Sequence, residues 1–274
     1  MKIFINNKIY NQRDAKISVI DSSFLWGYSA FTTLVAVKNK IQFIDDHIDR
    51  LFKNCKNIKL KLIWTKKQVK NILLKTLKQT KYKNARIRLA FTNGDLEKIT
   101  FRTSKIKSKP KIIIIIKKIK QPKLELNKSI SLKTVKTQRQ FAEIKQINFI
   151  PSILAWKEAQ EKGYDDGLMV DQKNNILEAS TANIFCIKNN IIKTPKNNVL
   201  LGVTRKYIIK TAKELDYKVK EGNISIKELK SSNEVFITNT TTILRIINKI
   251  DNKIINKTPT ITKKIENKFL EKYY

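Results

Sequence analysis

The sequence predicts an α+β protein of two domains, and three observations carry that reading. Short β-branched runs punctuated by Asn and Gly turns alternate with segments whose apolar residues recur at helical spacing. A polar, weakly periodic stretch over 121–140 separates two such blocks. The chain is 274 residues long with 41% hydrophobic residues, enough for a sizeable core in one large or two smaller domains. The expected division is a small N-terminal α+β domain over 1–120, a linker over 121–140 and a larger C-terminal domain over 141–274.

In chain order, the first ten residues read as strand, turn at Asn6-Asn7 and strand. After the segment Asp21 to Val37 comes Ile41-Gln42-Phe43, behind the turn-like Lys38-Asn39-Lys40. Asp46 to Leu62 carries Ile48, Leu51 and Cys55 at helical spacing. Thr65 is a suitable cap for a helix to Leu77, whose apolar stripe is Val69, Ile72, Leu73 and Leu77. Ala85 to Phe91 and Lys111 to Ile119 read as strands, the latter holding five consecutive isoleucines. Beyond the linker, Phe149 to Lys162 reads as a helix stopped by Gly163. Strands are expected near Gly167–Val170, Ile176–Glu178 and Ile184–Ile187, a helix over Thr204 to Leu215 and a strand over Glu234 to Thr238.

The formal net charge of +34 first suggests nucleic acid. However, 49 of the 57 basic residues are lysines, spread along the chain without a dense block. Base recognition leans on the forked guanidinium of Arg. The composition therefore argues against specific nucleic-acid binding and leaves only weak, salt-sensitive association. No apolar run approaches the ~20 residues of a membrane helix, and the start has no signal-peptide apolar stretch, so a cytosolic location is expected. Cys55 and Cys186 read as reduced core thiols. With one histidine and two cysteines a metal site is unsupported.

Searching for chemistry, we find no G-x-G-x-x-G, P-loop, G-x-S-x-G or metal-ligand spacing. His47 lies among Asp45, Asp46 and Asp49, which reads as a helix start with acids complementing its dipole. Two loops suit an anion: Leu201 to Arg205, where a loop turns into a helix, and Thr238 to Thr242, behind a strand end. Each by itself is also explained as a cap or a turn.

The order of six segments is more specific. Asp46-His47-Ile48-Asp49-Arg50-Leu51, Lys145-Gln146-Ile147-Asn148, Glu178 through Asn183-Ile184-Phe185, Thr194-Pro195, Leu201-Gly202-Val203-Thr204-Arg205 and Glu234-Val235-Phe236 through Thr240 follow one another. This set resembles the class IV aminotransferases, the fold type IV enzymes dependent on pyridoxal 5′-phosphate (PLP). The resemblance implies a two-domain fold like that of D-amino-acid aminotransferase, a homodimer, a small-molecule amino substrate and an active site between the domains. It assigns Lys145 as the lysine that forms an imine with PLP and shuttles a proton. Glu178 would pair with the pyridine nitrogen and Arg50 would anchor the phosphate. Val203, Thr204 and Thr240 would add N–H and hydroxyl donors.

Within the resemblance, Phe31-Thr32-Thr33 is similar to the "F-T-T" of 4-amino-4-deoxychorismate lyases, where aminotransferases usually show "F-E" or "Y-E". Phe149 follows Asn148 where branched-chain enzymes carry a Tyr. No histidine follows Asn93-Gly94 as in D-amino-acid enzymes, and Arg102 could serve a substrate carboxylate. These features favour the lyase, which forms p-aminobenzoate and pyruvate for folate synthesis, with Thr33 as a catalytic hydroxyl. A transaminase for branched-chain or D-amino acids stands second, and a basic nucleic-acid-binding protein is the remote alternative.

Overall fold

The computed structural model describes residues 1–96, 109–120, 129–255 and 258–274. They form two compact units, Met1–Pro122 with Ile144–Asn148, and Lys123–Glu143 with Phe149–Tyr274.

The first unit contains β1 (Lys2–Ile5), β2 (Lys8–Asn11), α1 (Ser22–Trp26), β3 (Ser29–Val37), β4 (Lys40–Ile41), α2 (Ile44–Asn57), α3 (Lys66–Thr80), β5 (Ala85–Thr92) and β6 (Lys111–Lys118). Its six strands pair in the order β2-β1-β6-β5-β3-β4, antiparallel throughout. Because side chains alternate across a strand, the sheet has two distinct faces. Ala30, Leu34 and Ala36 of β3 join Ile87 and Leu89 of β5 in a core with Leu51 and Cys55 of α2 and Leu73 of α3. Phe31, Thr33 and Val35 point to the opposite face. The α3 start behaves as its sequence predicts, with a reciprocal capping box between Thr65 and Gln68.

The second unit continues with β7 (Ile130–Lys136), α4 (Ile150–Glu161), β8 (Asp166–Val170), β9 (Ile176–Ala179), β10 (Asn183–Lys188), β11 (Ile191–Thr194), α5 (Val203–Glu214), β12 (Lys218–Glu221), α6 (Ile226–Lys230), β13 (Glu234–Asn239), β14 (Ile243–Ile250), β15 (Lys253–Ile254) and α7 (Thr260–Tyr273). The strand order is β12-β11-β10-β13-β14-β7-β8-β9, with β15 beside β14. The β7/β8 and β11/β12 pairs are parallel, and parallel neighbours need a crossover. The helices α4 and α5 supply it.

Two expectations change here. Residues 130–136 form a strand, although their stretch reads as linker. ISLKTVK has only a ragged alternation, and its ladder partners are β8 and the distant β14, so pairing rather than local pattern fixes it. Residues 144–148, which carry Lys145, cluster with the first unit although they follow the linker in sequence. Both cysteines are free and buried, and burial raises the Cys55 thiol to about 12 and the Cys186 thiol to about 11. Among the described residues no helix is long and apolar enough to cross a membrane, and no cluster of potential metal ligands occurs.

Candidate active site

In the first unit, Lys145 lies in the segment ahead of α4, against β3 and α2. Its carbonyl accepts from the Phe31 N–H at 2.9 Å. The Asn54 carboxamide of α2, turned to satisfy its neighbours, accepts from the Lys145 N–H at 3.0 Å and donates to the Arg50 carbonyl at 3.3 Å. The Lys145 backbone is thus fixed from two sides, while its Nζ lies 4.9 Å from the Phe31 ring centroid. The Arg88 guanidinium sits over the same ring, at 3.7 Å. Arg88 stands opposite Thr33 in the β3/β5 ladder, so Phe31, Thr33 and Arg88 occupy one face of the sheet. Burial, and then the nearby Arg86, lower the Arg88 pKa, and among the described residues no carboxylate pairs with it. Arg102 lies outside the described residues.

Arg50 of α2 is a partly buried cation with no carboxylate paired to it among the described residues. Its Nη2 donates to Thr32 Oγ1 at 2.9 Å, while its Nε is enclosed and has no partner. Burial lowers its pKa to about 10. The surface ion pair with Asp46 that helical spacing allows is not formed. His47 lies at the start of α2 behind the first-turn acids Asp45 and Asp46, as its sequence reads, and is fully buried.

In the second unit, Glu178 is a buried carboxylate on β9, only 5% exposed. Its Oε1 accepts from Arg139 Nε at 2.9 Å and Arg139 Nη2 at 2.6 Å. Its Oε2 accepts from the Leu200 N–H at 3.2 Å. Arg139 Nη2 also donates to the Ala142 carbonyl at 2.6 Å. Each carboxylate oxygen has two acceptor sites, so Oε1 is filled by the fork and Oε2 keeps capacity. Arg139 is absent from the sequence-based set, because nothing local distinguishes it from a solvated arginine.

The α5 start explains the rest of the motif. Asn183 Nδ2 donates to the Leu200 carbonyl at 2.6 Å. A Cβ on Gly202 would lie 2.4 Å from Asn183 Oδ1, so glycine is required there by close approach. Gly202 caps α5 without a side-chain hydrogen bond. The N–H groups of Val203 and Thr204 therefore sit in the first turn, where helix geometry gives them no intrahelical acceptor. Arg205 is structural: its Nη2 binds the Pro195 carbonyl and Glu221 Oε2, each at 2.8 Å. Behind β13, Asn239 Oδ1 accepts from the Thr241 and Thr242 N–H groups at 2.9 Å, a turn that does not engage Thr240.

These groups suit PLP by their chemistry. A phosphate dianion suits a guanidinium with an unfilled N–H, as Arg50 presents in the first unit, and it suits helix N-terminal donors, as the α5 start presents in the second. A pyridinium asks for a desolvated carboxylate, and Glu178 offers one. Bound PLP supplies an electron sink conjugated to the carbon that loses its proton or substituent. If Arg50 is the anchor, Arg50→Ala should weaken PLP binding by roughly 10- to 150-fold, the loss of a charge-assisted contact worth about 1.5–3 kcal/mol. Excess PLP should restore most activity; a titration of activity against PLP that plateaus far below wild type would assign Arg50 another role.

Comparison with known proteins agrees. The family described as amino-transferase class IV matches residues 29–250. A Methanocaldococcus jannaschii relative named "Putative branched-chain-amino-acid aminotransferase" is 32% identical over 98% of this chain and 95% of its own. The D-alanine aminotransferase of Staphylococcus epidermidis is 29% identical over 99% of this chain and 97% of its own. An aminodeoxychorismate lyase of Bacillus subtilis is 26% identical over 89% of this chain and 84% of its own. In fold, the chain is similar to the Escherichia coli branched-chain amino acid aminotransferase, with a TM-score of 0.92, 22% identity, and 99% and 94% of the two chains covered. The chain therefore belongs to the class IV aminotransferases, a PLP-dependent family of two-domain α+β enzymes.

Proposed function

We propose that the protein is an aminotransferase that moves an amino group between a small amino acid and a 2-oxo acid. In this reading Lys145 carries PLP and transfers the proton, Glu178 serves the ring nitrogen, and Arg50, Val203, Thr204 and Thr240 hold the phosphate. The observation that carries it is the pair of cations over Phe31: Lys145 Nζ at 4.9 Å and the Arg88 guanidinium at 3.7 Å from one ring centroid. A desolvated guanidinium with no carboxylate paired to it among the described residues, against the same ring as the lysine amine, suits the carboxylate of an amino acid. Two relatives above the lyase in identity carry aminotransferase names, which reverses the order that the Phe31-Thr32-Thr33 pattern suggests. We also propose a homodimer, supported by exposed apolar side chains at Val19 and Phe24 in the first unit and at Phe141, Ile150 and Leu154 in the second.

The lyase stands as a second reading on one observation. The two threonines of the pattern face opposite ways, Thr32 toward α2 and Thr33 to the Phe31 face, where it is 8% exposed. A hydroxyl there could deliver a proton to a departing fragment.

One set of assays separates the readings. Purified enzyme with amino acid and 2-oxoglutarate should form glutamate, and Arg88→Met should raise KM for the amino acid roughly 10- to 150-fold with the cofactor band unchanged. Enzymatically generated aminodeoxychorismate should yield no p-aminobenzoate. Formation of p-aminobenzoate and pyruvate without glutamate, reduced roughly 10²-fold by Thr33→Val, would replace the aminotransferase with the lyase.

A further inference from the structure

The residue pattern departs from the usual aminotransferase at Thr32, and that position is where the structure puts a three-residue hydrogen-bond chain. Thr32 and His47 are both 0% exposed. Thr32 Oγ1 lies 2.8 Å from His47 Nδ1 and accepts from Arg50 Nη2 at 2.9 Å. The hydroxyl has one proton to place, and the acceptor that the described residues offer it is His47 Nδ1. Protonated Nδ1 would turn that contact around and leave the hydroxyl proton buried with no acceptor. That tautomer would also leave the Nε2 lone pair unmet, whereas with Nδ1 accepting the one unmet group is the Nε2–H, buried without a partner among the described residues, so the contacts favour the proton on Nε2.

The charge around the ring points the same way. Burial lowers the His47 pKa well below its usual value, and the Arg50 and Lys145 cations lower it further. No acid pairs with Arg50 among the described residues. This cluster thus presents a cation, a hydroxyl and a neutral imidazole, and among the described residues no carboxylate pairs with the cation.

We infer that His47 is a positioning residue: fixed as the neutral Nε2–H tautomer, it commits the Thr32 hydroxyl to accept from Arg50 and so aims the guanidinium at the phosphate. The inference rests on the reading of Arg50 as the phosphate anchor. In this arrangement His47 neither touches the phosphate nor titrates with function. It removes the rotational freedom of the hydroxyl and, through it, of the guanidinium. Lost order in Thr32 would appear as weaker phosphate binding and not as a change at the reactive carbon.

His47 is the chain's single histidine, so ¹⁵N-histidine labelling of the full-length protein reports one ring. The two nitrogen shifts should identify the neutral Nε2–H tautomer and stay constant from about pH 5.5 to 8.5, a range in which an ordinary imidazole titrates. A ring that titrates near its usual value, or that carries its proton on Nδ1, overturns the inference. Binding supplies the second arm, with PLP, phosphate-free pyridoxal and inorganic phosphate offered to the full chain freed of cofactor. Thr32→Val should weaken PLP and inorganic phosphate about 10-fold, leave pyridoxal unchanged, and be rescued by Thr32→Ser. Equal weakening of all three probes would make Thr32 a packing residue and overturn the inference. Arg50→Ala in the same assay tests the anchor reading separately. If it leaves phosphate affinity intact, that reading fails; if it weakens phosphate while Thr32→Val does not, the inference alone fails.

Discussion

Lys145→Ala is expected to abolish turnover and the absorbance band of lysine-linked PLP, with the fold retained. The backbone contacts that hold this segment, from the Phe31 N–H to the Lys145 carbonyl and from the Lys145 N–H to Asn54, do not involve the side chain. Its Nζ lies over Phe31 on a partly exposed segment, so truncation opens no large core cavity. In the proposed reading, what is lost is the amine that would hold PLP covalently and then carry the proton, a chemistry no hydroxyl or amide can replace. Circular dichroism should therefore be unchanged while activity disappears. Borohydride reduction followed by peptide mapping should label residue 145 in the wild type and no lysine in the variant. A reduced adduct on another lysine of the variant, with activity retained, would remove Lys145 from the mechanism.

Glu178→Gln is expected to cost activity roughly 10²- to 10³-fold or more, the range of a lost electrostatic partner in a water-poor site, while PLP stays bound. A neutral amide cannot hold the ring nitrogen protonated, so charge developing on the substrate carbon has a poorer sink. The structure adds a second expectation. Arg139 fills Oε1 through two N–H groups and Leu200 N–H approaches Oε2. An amide that turns its oxygen to Arg139 faces Leu200 N–H with its own NH₂ group, donor against donor. The buried pair has side-chain exposures of only 8% and 7%, so the weakened partner should also lower Tm. Spectroscopy of the PLP band separates the two effects: the band should persist with altered intensity even where the melting temperature falls. Near-wild-type turnover in this variant would show that another group serves the ring nitrogen.

How much of this was legible in the sequence follows from how local each feature is. The stretch from Glu178 to Arg205 could be read directly because its residues hold one another: Asn183 and Glu178 both reach Leu200, Gly202 gives way to Asn183, and Arg205 ties back to Pro195. Short-range constraints of that kind leave fixed spacings. The α3 cap and the isoleucine run of β6 were readable for the same reason, since capping and β-branched periodicity are properties of a few neighbouring residues.

Tertiary structure decided the remainder. The strand over 130–136 exists because β8 and β14 flank it, and a half-polar run has no pattern of its own to announce that. Arg139 becomes the partner of Glu178 across 39 positions of chain, and Arg88 meets Phe31 only because β5 lies beside β3 in one register. His47 reads as a helix-start residue among acids, yet the sheet that α2 covers turns it inward onto Thr32. In each case the identity of the side chain was visible but its environment was not. Burial, charge compensation and the direction a proton faces are set by elements distant in sequence, and these quantities separate a surface lysine or arginine from one that does chemistry. The sequence by itself determined the family, the cofactor and the candidate lysine; the packing of α2 on β3 and the pairing of β5 with it decided that Arg50 and Arg88 are partly buried with no carboxylate paired to them among the described residues.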